Sequence, residues 1–134
     1  MRALLAFPLT ALVVVAYNLL GLAPGFAPGA QIADFTMTSG AVVALTLGDA
    51  LVMAALVALF FEVLKSARPR GGTVIDHILS VAVFVVALVE FLLVPFAGTA
   101  SFLLITAICL IDVIAGFSVS IFSARRDFSV GPDA

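Results

Sequence analysis

The sequence is poor in charged residues, and this scarcity excludes most functions of soluble proteins. Only 10% of its 134 residues are Asp, Glu, Lys or Arg, whereas 64% are hydrophobic. Soluble domains have about 25% charged and roughly 45–50% apolar residues. A soluble fold of this length would have too few polar side chains to cover its surface. We therefore expect lipid to be the solvent for most of the chain.

Several other residue types are also nearly absent. There is one cysteine, one histidine and no tryptophan, and the net charge is -2 with six Lys and Arg residues. Cys109 alone forms neither an internal disulfide nor a cysteine-based metal cluster, and we interpret it as a small buried hydrophobic residue. The charge gives no basic surface for nucleic acid. No phosphate loop, nucleophile elbow or metal-protease motif occurs, so we expect no enzyme activity, cofactor or metal.

Four apolar stretches have the length of membrane-spanning helices, which need about 20 residues. Backbone polar groups in lipid must be satisfied within the segment, so these stretches are predicted to be helices. Segments rich in Pro, Gly and polar residues separate them. The predicted fold class is all-α, a single membrane domain (residues 1–134) formed by a bundle of four transmembrane helices. The spans are residues 3–22, 41–64, 74–96 and 99–123, with an outer loop at 23–40 and a cytoplasmic loop at 65–73.

The basic residues predict the orientation of the bundle. All six fall on one side of the four spans, and the outer loop has none. Because cytoplasmic loops are enriched in Lys and Arg, this side is predicted to be cytoplasmic, and so are both termini. We expect the inner membrane of a bacterium, with these residues as the cytoplasmic anchor: Arg2, Lys65, Arg68, Arg70, Arg125 and Arg126.

The outer loop is unusually apolar for an exposed segment, with Phe26, Ile32, Phe35 and Met37. We interpret it as an interfacial anchor or a cap on the bundle, with a docking surface for a partner as the alternative. Ser39 is the predicted N-cap of the second span.

Three carboxylates lie within the predicted spans: Asp49, Glu90 and Asp112. With a helical rise of about 1.5 Å per residue, they lie roughly 24, 26 and 20 Å from the basic edge of the membrane. All three thus fall between the middle and the outer half of the hydrocarbon core, and we expect them to face the bundle interior together. Asn18 could reach the same cluster or serve as an interhelical contact.

Small residues accompany these acids and favour close helix packing. Ala50, Ala54 and Ala58 follow Asp49 in the second span. A fourth-span stripe places Asp112, Gly116 and Ser120 four residues apart, and a third-span face contains Ser80, Val83, Ala87 and Glu90.

Three states remain open for the acids. The first is protonated and hydrogen-bonded acids, the second is a site for a cation or a relayed proton, and the third is pairing with a basic residue of another chain.

Polar residues also mark the cytoplasmic ends of the second and third spans. Asp76 is interpreted as a helix-start residue favoured by the helix dipole. His77 is interpreted as an interfacial histidine, with a pH-responsive group or a metal ligand as alternatives. Glu62 and Lys65 are expected to form an exposed helix pair of little energetic weight.

The segments LTLGDALVM, FFEVLKS, IDHILS and LIDVIAGFSVSI resemble those of small four-helix integral membrane proteins of proteobacteria. The resemblance covers most of the chain. It implies the four-helix membrane fold and carries no activity or site residue with it.

Two functions are therefore expected. The first is a non-enzymatic membrane protein that acts through contacts with lipid and with other membrane helices, as an accessory or assembly subunit of a complex or as a self-associating bundle. The alternative is a proton or cation channel or transporter that uses Asp49, Glu90 and Asp112.

Overall fold

The computed structural model describes residues 7–67 and 74–129, apart from the side chains of residues 123 and 126–129. Four helices and one β-hairpin follow each other along this part of the chain, and a single 3-10 turn, Pro95–Ala97, joins the last two helices. In chain order the elements are α1 (Leu9–Gly21), β1 (Gln31–Thr36), β2 (Val42–Thr46), α2 (Leu47–Ser66), α3 (Val74–Leu93) and α4 (Ala100–Ser129).

Three of the four helices are long and apolar enough to cross a membrane: α2, α3 and the segment Ala100–Phe122 of α4. Helix α1 is apolar but has only 13 residues. That length corresponds to about 20 Å, less than the roughly 30 Å of a hydrocarbon core. The predicted number of helices is confirmed, and three of them meet the length of a span.

Within the described residues, the first helix begins at Leu9. Pro8 directly before it is extended, with φ -69° and ψ 129°, so this helix does not continue back through Pro8. Proline is tolerated at a helix start because the first backbone N–H groups have no intrahelical partner. Residues 3–6 of the predicted span lie outside the described part of the chain.

The second helix begins later than predicted, because residues 42–46 form a strand. Thr46 and not Ser39 is the N-cap of α2. The Thr46 side chain accepts a hydrogen bond from the Asp49 backbone N–H at 3.1 Å, and the Asp49 carboxylate accepts one from the Thr46 N–H at 2.9 Å. This reciprocal capping box fixes the start of the helix.

The predicted outer loop contains most of an antiparallel β-hairpin. Phe35 pairs with Val43, and the Met37 N–H donates to the Ala41 carbonyl at 2.8 Å across the turn. Gly40 has φ +83°, a left-handed conformation that favours glycine and closes the turn. The β-branched run that follows then pairs as a strand. The all-α prediction is therefore correct for the bundle but missed this hairpin, whose large apolar side chains are exposed.

Helix α4 is the centre of the bundle. It packs against both α2 and α3, while α1 lies mainly against α2 and makes smaller contacts with α3 and α4. The buried hydrophobic core combines side chains from all four helices and the connecting turn: Val13, Val14, Tyr17, Ala55, Ala58, Ala87, Ala97, Phe102, Ile105, Ile108 and Cys109.

The seam of α2 differs from the predicted one. Its buried positions are Gly48, Ala55, Ala58 and Glu62, whereas Ala54 is exposed and Ala50 only half-buried. The predicted seam of Ala50, Ala54 and Ala58 is therefore wrong at Ala54, which is exposed, whereas Ala58 is buried. The buried face of α2 is the one that carries Gly48, which lies against Ser101, and Ala55, which belongs to the hydrophobic core.

Gly48 is required where α2, α4 and the outer segment converge. Its N–H donates to the Pro28 carbonyl at 2.7 Å. A Cβ atom at this position would overlap the Ser101 side chain and lie 3.0 Å from the Pro28 oxygen.

We predict that Gly48→Ala lowers the stability of the folded bundle. The added methyl group forces α4 away from α2, and such overpacking costs about 1–3 kcal/mol. Equilibrium unfolding in detergent micelles measures the change. Gly29→Ala is the matched control, because a Cβ at Gly29 meets no atom within 4 Å. Equal unfolding midpoints for the two variants would contradict the prediction.

Candidate functional site

Five polar side chains from all four helices meet near the end of the bundle that holds Lys65 and Arg125, here called the basic end. The opposite end carries the β-hairpin and is called the hairpin end. The members of this basic-end cluster are Thr10, Glu62, Lys65, Ser80 and Asp112.

Glu62 connects α2 with the start of α1. Its side chain is buried, with 3% of the residue exposed. The Lys65 ammonium lies 2.8 Å from one carboxylate oxygen, and the Leu9 backbone N–H donates to the other at 2.5 Å. Pro8 gives α1 no side-chain cap, so Glu62 caps α1 from the neighbouring helix. The positive end of the α1 dipole favours a carboxylate there.

The expected pairing of Glu62 with Lys65 is present, but the expected exposure is wrong. The Lys65 side chain is 22% exposed and the Glu62 side chain 4%. The reason is that α1 begins directly against this turn of α2 and covers the carboxylate. No feature of the local sequence around Glu62 signals that cover.

Asp112 connects α4 with α1 and α3. The residue is buried, and its Oδ2 accepts a hydrogen bond from the Thr10 hydroxyl at 3.1 Å. The Ser80 hydroxyl contacts the same carboxyl group, which also lies within range of the charges of Glu62 and Lys65. Asp112 thus faces the bundle interior, as predicted.

Glu90 makes a separate contact at the hairpin end. The Asn18 side-chain amide donates to its Oε2 at 2.7 Å and also to the Val14 carbonyl at 3.1 Å. Asn18 and Glu90 therefore link α1 to α3, as an interhelical pair. We call them the hairpin-end pair.

The hairpin-end pair and the basic-end cluster lie at different levels of the bundle. Thr10 and Asn18 are eight residues apart on α1, which corresponds to about 12 Å. The buried Thr106 hydroxyl of α4 belongs to neither group, because it donates to the Phe102 carbonyl of its own helix. Glu90 and Asp112 consequently lie in different polar groups and do not form the expected cluster.

Asp49 belongs to neither group. It lies exposed in the first turn of α2, where its carboxylate accepts hydrogen bonds from the Thr46 N–H and, at 2.6 Å, the Thr46 hydroxyl. The prediction that Asp49 shares an interior cluster with Glu90 and Asp112 is wrong. The capping box explains why: with β2 occupying residues 42–46, Asp49 is a helix-start residue and not the middle of a span.

Tyr17 makes contacts between elements that were not predicted from the sequence. Its side chain is fully buried, and its hydroxyl lies 2.6 Å from the Thr99 hydroxyl oxygen. The ring packs edge-on against Phe26 and tilted against Phe102, with centroid distances of 5.2 and 4.7 Å. Tyr17 therefore holds the last turns of α1 against the turn between α3 and α4. The sequence feature that could have drawn attention to this residue is that it is the single tyrosine of the chain.

His77 packs on the predicted small-residue stripe of α4. One ring nitrogen, Nε2, lies 2.6 Å from the Ser120 hydroxyl, and the ring stacks on Phe117. A Cβ on Gly116 would come 2.9 Å from His77 Nδ1, so glycine leaves the room for the ring. Gly116 and Ser120 thus lie against α3. In the described part of the chain, no group of three His, Cys, Asp or Glu side chains could hold a metal ion.

The remaining predicted residues of the basic end are placed as follows. Asp76 lies in the first turn of α3, and Arg125 is exposed near the end of α4. Arg126 lies in α4, but its side chain is outside the described set, as are Arg2, Arg68 and Arg70 entirely.

Two shallow cavities are lined almost wholly by apolar side chains. One, of about 250 Å³, lies between α3 and α4 beside His77 and Phe117. The other, of about 230 Å³, lies between α1 and α3 and includes Ala11 and Ala82. Sites for polar substrates combine an apolar cavity with several convergent polar groups, and neither cavity has such a set.

No protein-family model, curated protein or solved structure matches the chain. The resemblance to four-helix membrane proteins of proteobacteria therefore stays a prediction.

The hairpin-end pair yields a test of interhelical coupling. We predict that Asn18→Leu and Glu90→Leu each destabilise the bundle, because each leaves one polar group without its partner. The double variant should lose less stability than the sum of the two, with a coupling energy of about 0.6–2 kcal/mol. Unfolding in mixed micelles provides the four values of the cycle.

Ser118→Ala is the control for this cycle, since the Ser118 hydroxyl donates to the Ile114 carbonyl of its own helix. Additive effects of the Asn18 and Glu90 substitutions would show that the pair contributes no coupling.

Proposed function

We propose that this chain is a small non-enzymatic protein of a bacterial inner membrane that acts through helix–helix contacts. It serves as an accessory or assembly subunit of a membrane complex, or as a self-associating bundle. Its basic end faces the cytoplasm, in keeping with the concentration of Lys and Arg there.

The observation that supports this proposal most is the exposure of α3. Ala87 is its one fully buried residue among the described positions, although α3 packs along α4. Most large apolar side chains of the helix are exposed, including Ile75, Ile78 and Val86. Small residues allow membrane helices to approach closely, and the exposed Ala82 of α3 lines a shallow cavity together with Ala11 of α1. Helix α3 thus offers a surface to a further helix.

The polar interior supports the same function. The basic-end cluster and the hairpin-end pair consist of contacts between helices of this chain, and both include α1. They stabilise the position of a short helix that could not span a membrane by its described length alone. Interhelical polar contacts of this kind are a common means of fixing helix positions in membranes.

Conduction of a proton or cation is less well supported. A pathway would need to join Asp49, Glu90 and Asp112, but Asp49 is exposed and the other two belong to separate polar groups. Liposomes containing the protein and a pH-sensitive dye test this alternative directly. Proton uptake that Glu90→Gln abolishes would favour conduction over our proposal.

We predict that native mass spectrometry of the protein, extracted from its own membrane in a mild detergent, detects species heavier than one chain. Ala82→Phe should reduce these species, because the bulky ring prevents close approach to α3. Ala54→Phe is the matched control: it places the same ring at an exposed alanine of α2. A single chain in all three samples would contradict the proposal. Other proteins in the heavy species would identify a complex, whereas multiples of one mass would identify self-association.

A further inference from the structure

The basic-end cluster contains more negative than positive groups. Glu62 and Asp112 are both buried, and Lys65 is the one cation of the cluster. With both carboxyl groups ionised, the cluster would have one uncompensated negative charge inside the bundle. An unpaired charge in a medium of low dielectric constant is strongly unfavourable, and a buried group commonly takes up a proton instead.

The contacts distinguish the two carboxyl groups. The Glu62 carboxylate lies 2.8 Å from the positively charged Lys65 ammonium. It also accepts from the Leu9 N–H, at the positive end of the α1 dipole. Asp112 has two hydroxyl neighbours, Thr10 and Ser80, and no ion pair with a described Lys or Arg side chain. Hydroxyl groups can donate to a carboxylate or accept from a carboxylic acid. The proton therefore belongs on Asp112.

We propose that packing of α1 against the rest of the bundle is coupled to the binding of one proton at Asp112, so that α1 docking responds to the pH at the basic end. The proton is taken from water and returned to it. The partly exposed Lys65 side chain connects the cluster to the surface of the bundle. This inference concerns a single chain and goes beyond the proposed function.

The groups that face Asp112 explain why its ionisation would act on α1. Helix α2 contributes the Glu62 carboxylate and Lys65, α3 contributes Ser80, and α1 contributes Thr10. Cys109 is the titratable neighbour on α4 itself. His77, one turn from Ser80, is engaged with α4 at Ser120. A charge on Asp112 would repel Glu62, the residue that caps α1.

The sign of the pH dependence follows from linkage. The packed state holds a proton that the separated or unfolded state releases at neutral pH. A rise in pH therefore favours the unpacked state, by up to about tenfold in the equilibrium constant for each pH unit when one proton is coupled.

The test combines infrared spectroscopy and unfolding of the full chain in lipid or mixed micelles. Aspartate labelled with ¹³C at its side-chain carboxyl separates Asp from Glu signals. We expect a labelled carboxylic-acid C=O band at neutral pH that is absent in Asp112→Asn. In the wild type, stability against unfolding should fall as pH rises over the range where this band is present, and should level off once the band has disappeared. In Asp112→Asn, which resembles the protonated state, that fall should be lost.

A second variant tests the charge argument itself. Glu62→Gln removes one negative charge, so Asp112 can ionise opposite Lys65 and the labelled band should disappear. Asp49→Asn is the control and should leave the band unchanged, because Asp49 is exposed. The proposal is overturned by an absent labelled band in the wild type, by a band that survives Asp112→Asn or Glu62→Gln, or by equal pH dependence of unfolding in the wild type and Asp112→Asn. None of these results depends on whether the chain assembles with others.

Discussion

The bundle depends on the contact between the Glu62 carboxylate and the first backbone N–H of α1. A helix start leaves donors without intrahelical partners, and in an apolar environment each such donor is costly. Pro8 supplies no side-chain cap, so the buried start of α1 needs an acceptor from another helix, and Glu62 provides it. The ion pair with Lys65 in turn offsets the free-energy cost of burying the Glu62 carboxylate. The position of α1, and with it the Thr10–Asp112 and Asn18–Glu90 contacts, follows from this arrangement.

The interior polar groups are arranged at two depths, and this explains how a short helix is held along its whole length. The basic-end cluster fixes the first turn of α1, and the hairpin-end pair together with Tyr17 fixes its last turns. Between them the helix relies on apolar packing, which in lipid discriminates little between protein and acyl-chain neighbours. Directional contacts at both ends therefore set the register of α1, and the middle follows.

The sequence predicted the helices well and the site incompletely, for identifiable reasons. Long apolar runs separated by Pro and Gly define α2, α3 and α4, because lipid leaves the backbone few alternatives. The four-residue spacing of Asp112, Gly116 and Ser120 likewise predicted a stripe that lies against another helix. The hairpin was missed because residues 42–46 are as apolar as a helix and only their β-branched character distinguishes them. Because of that error, Asp49 was predicted to lie in the membrane interior. The burial of Glu62 depends on where α1 packs in the bundle, which is a tertiary property that no local sequence pattern encodes.

The junction between the β-hairpin and α2 has a mechanical consequence. Strand β2 passes into α2 at Thr46 without an intervening loop. The Leu47 and Gly48 N–H groups also donate to the Ala30 and Pro28 carbonyls, which lie just before β1. Both strands are thus attached to the same first turn, and the hairpin and α2 form one continuous unit. A force applied to the hairpin tip would therefore be transmitted to α2, whose last turns carry Glu62.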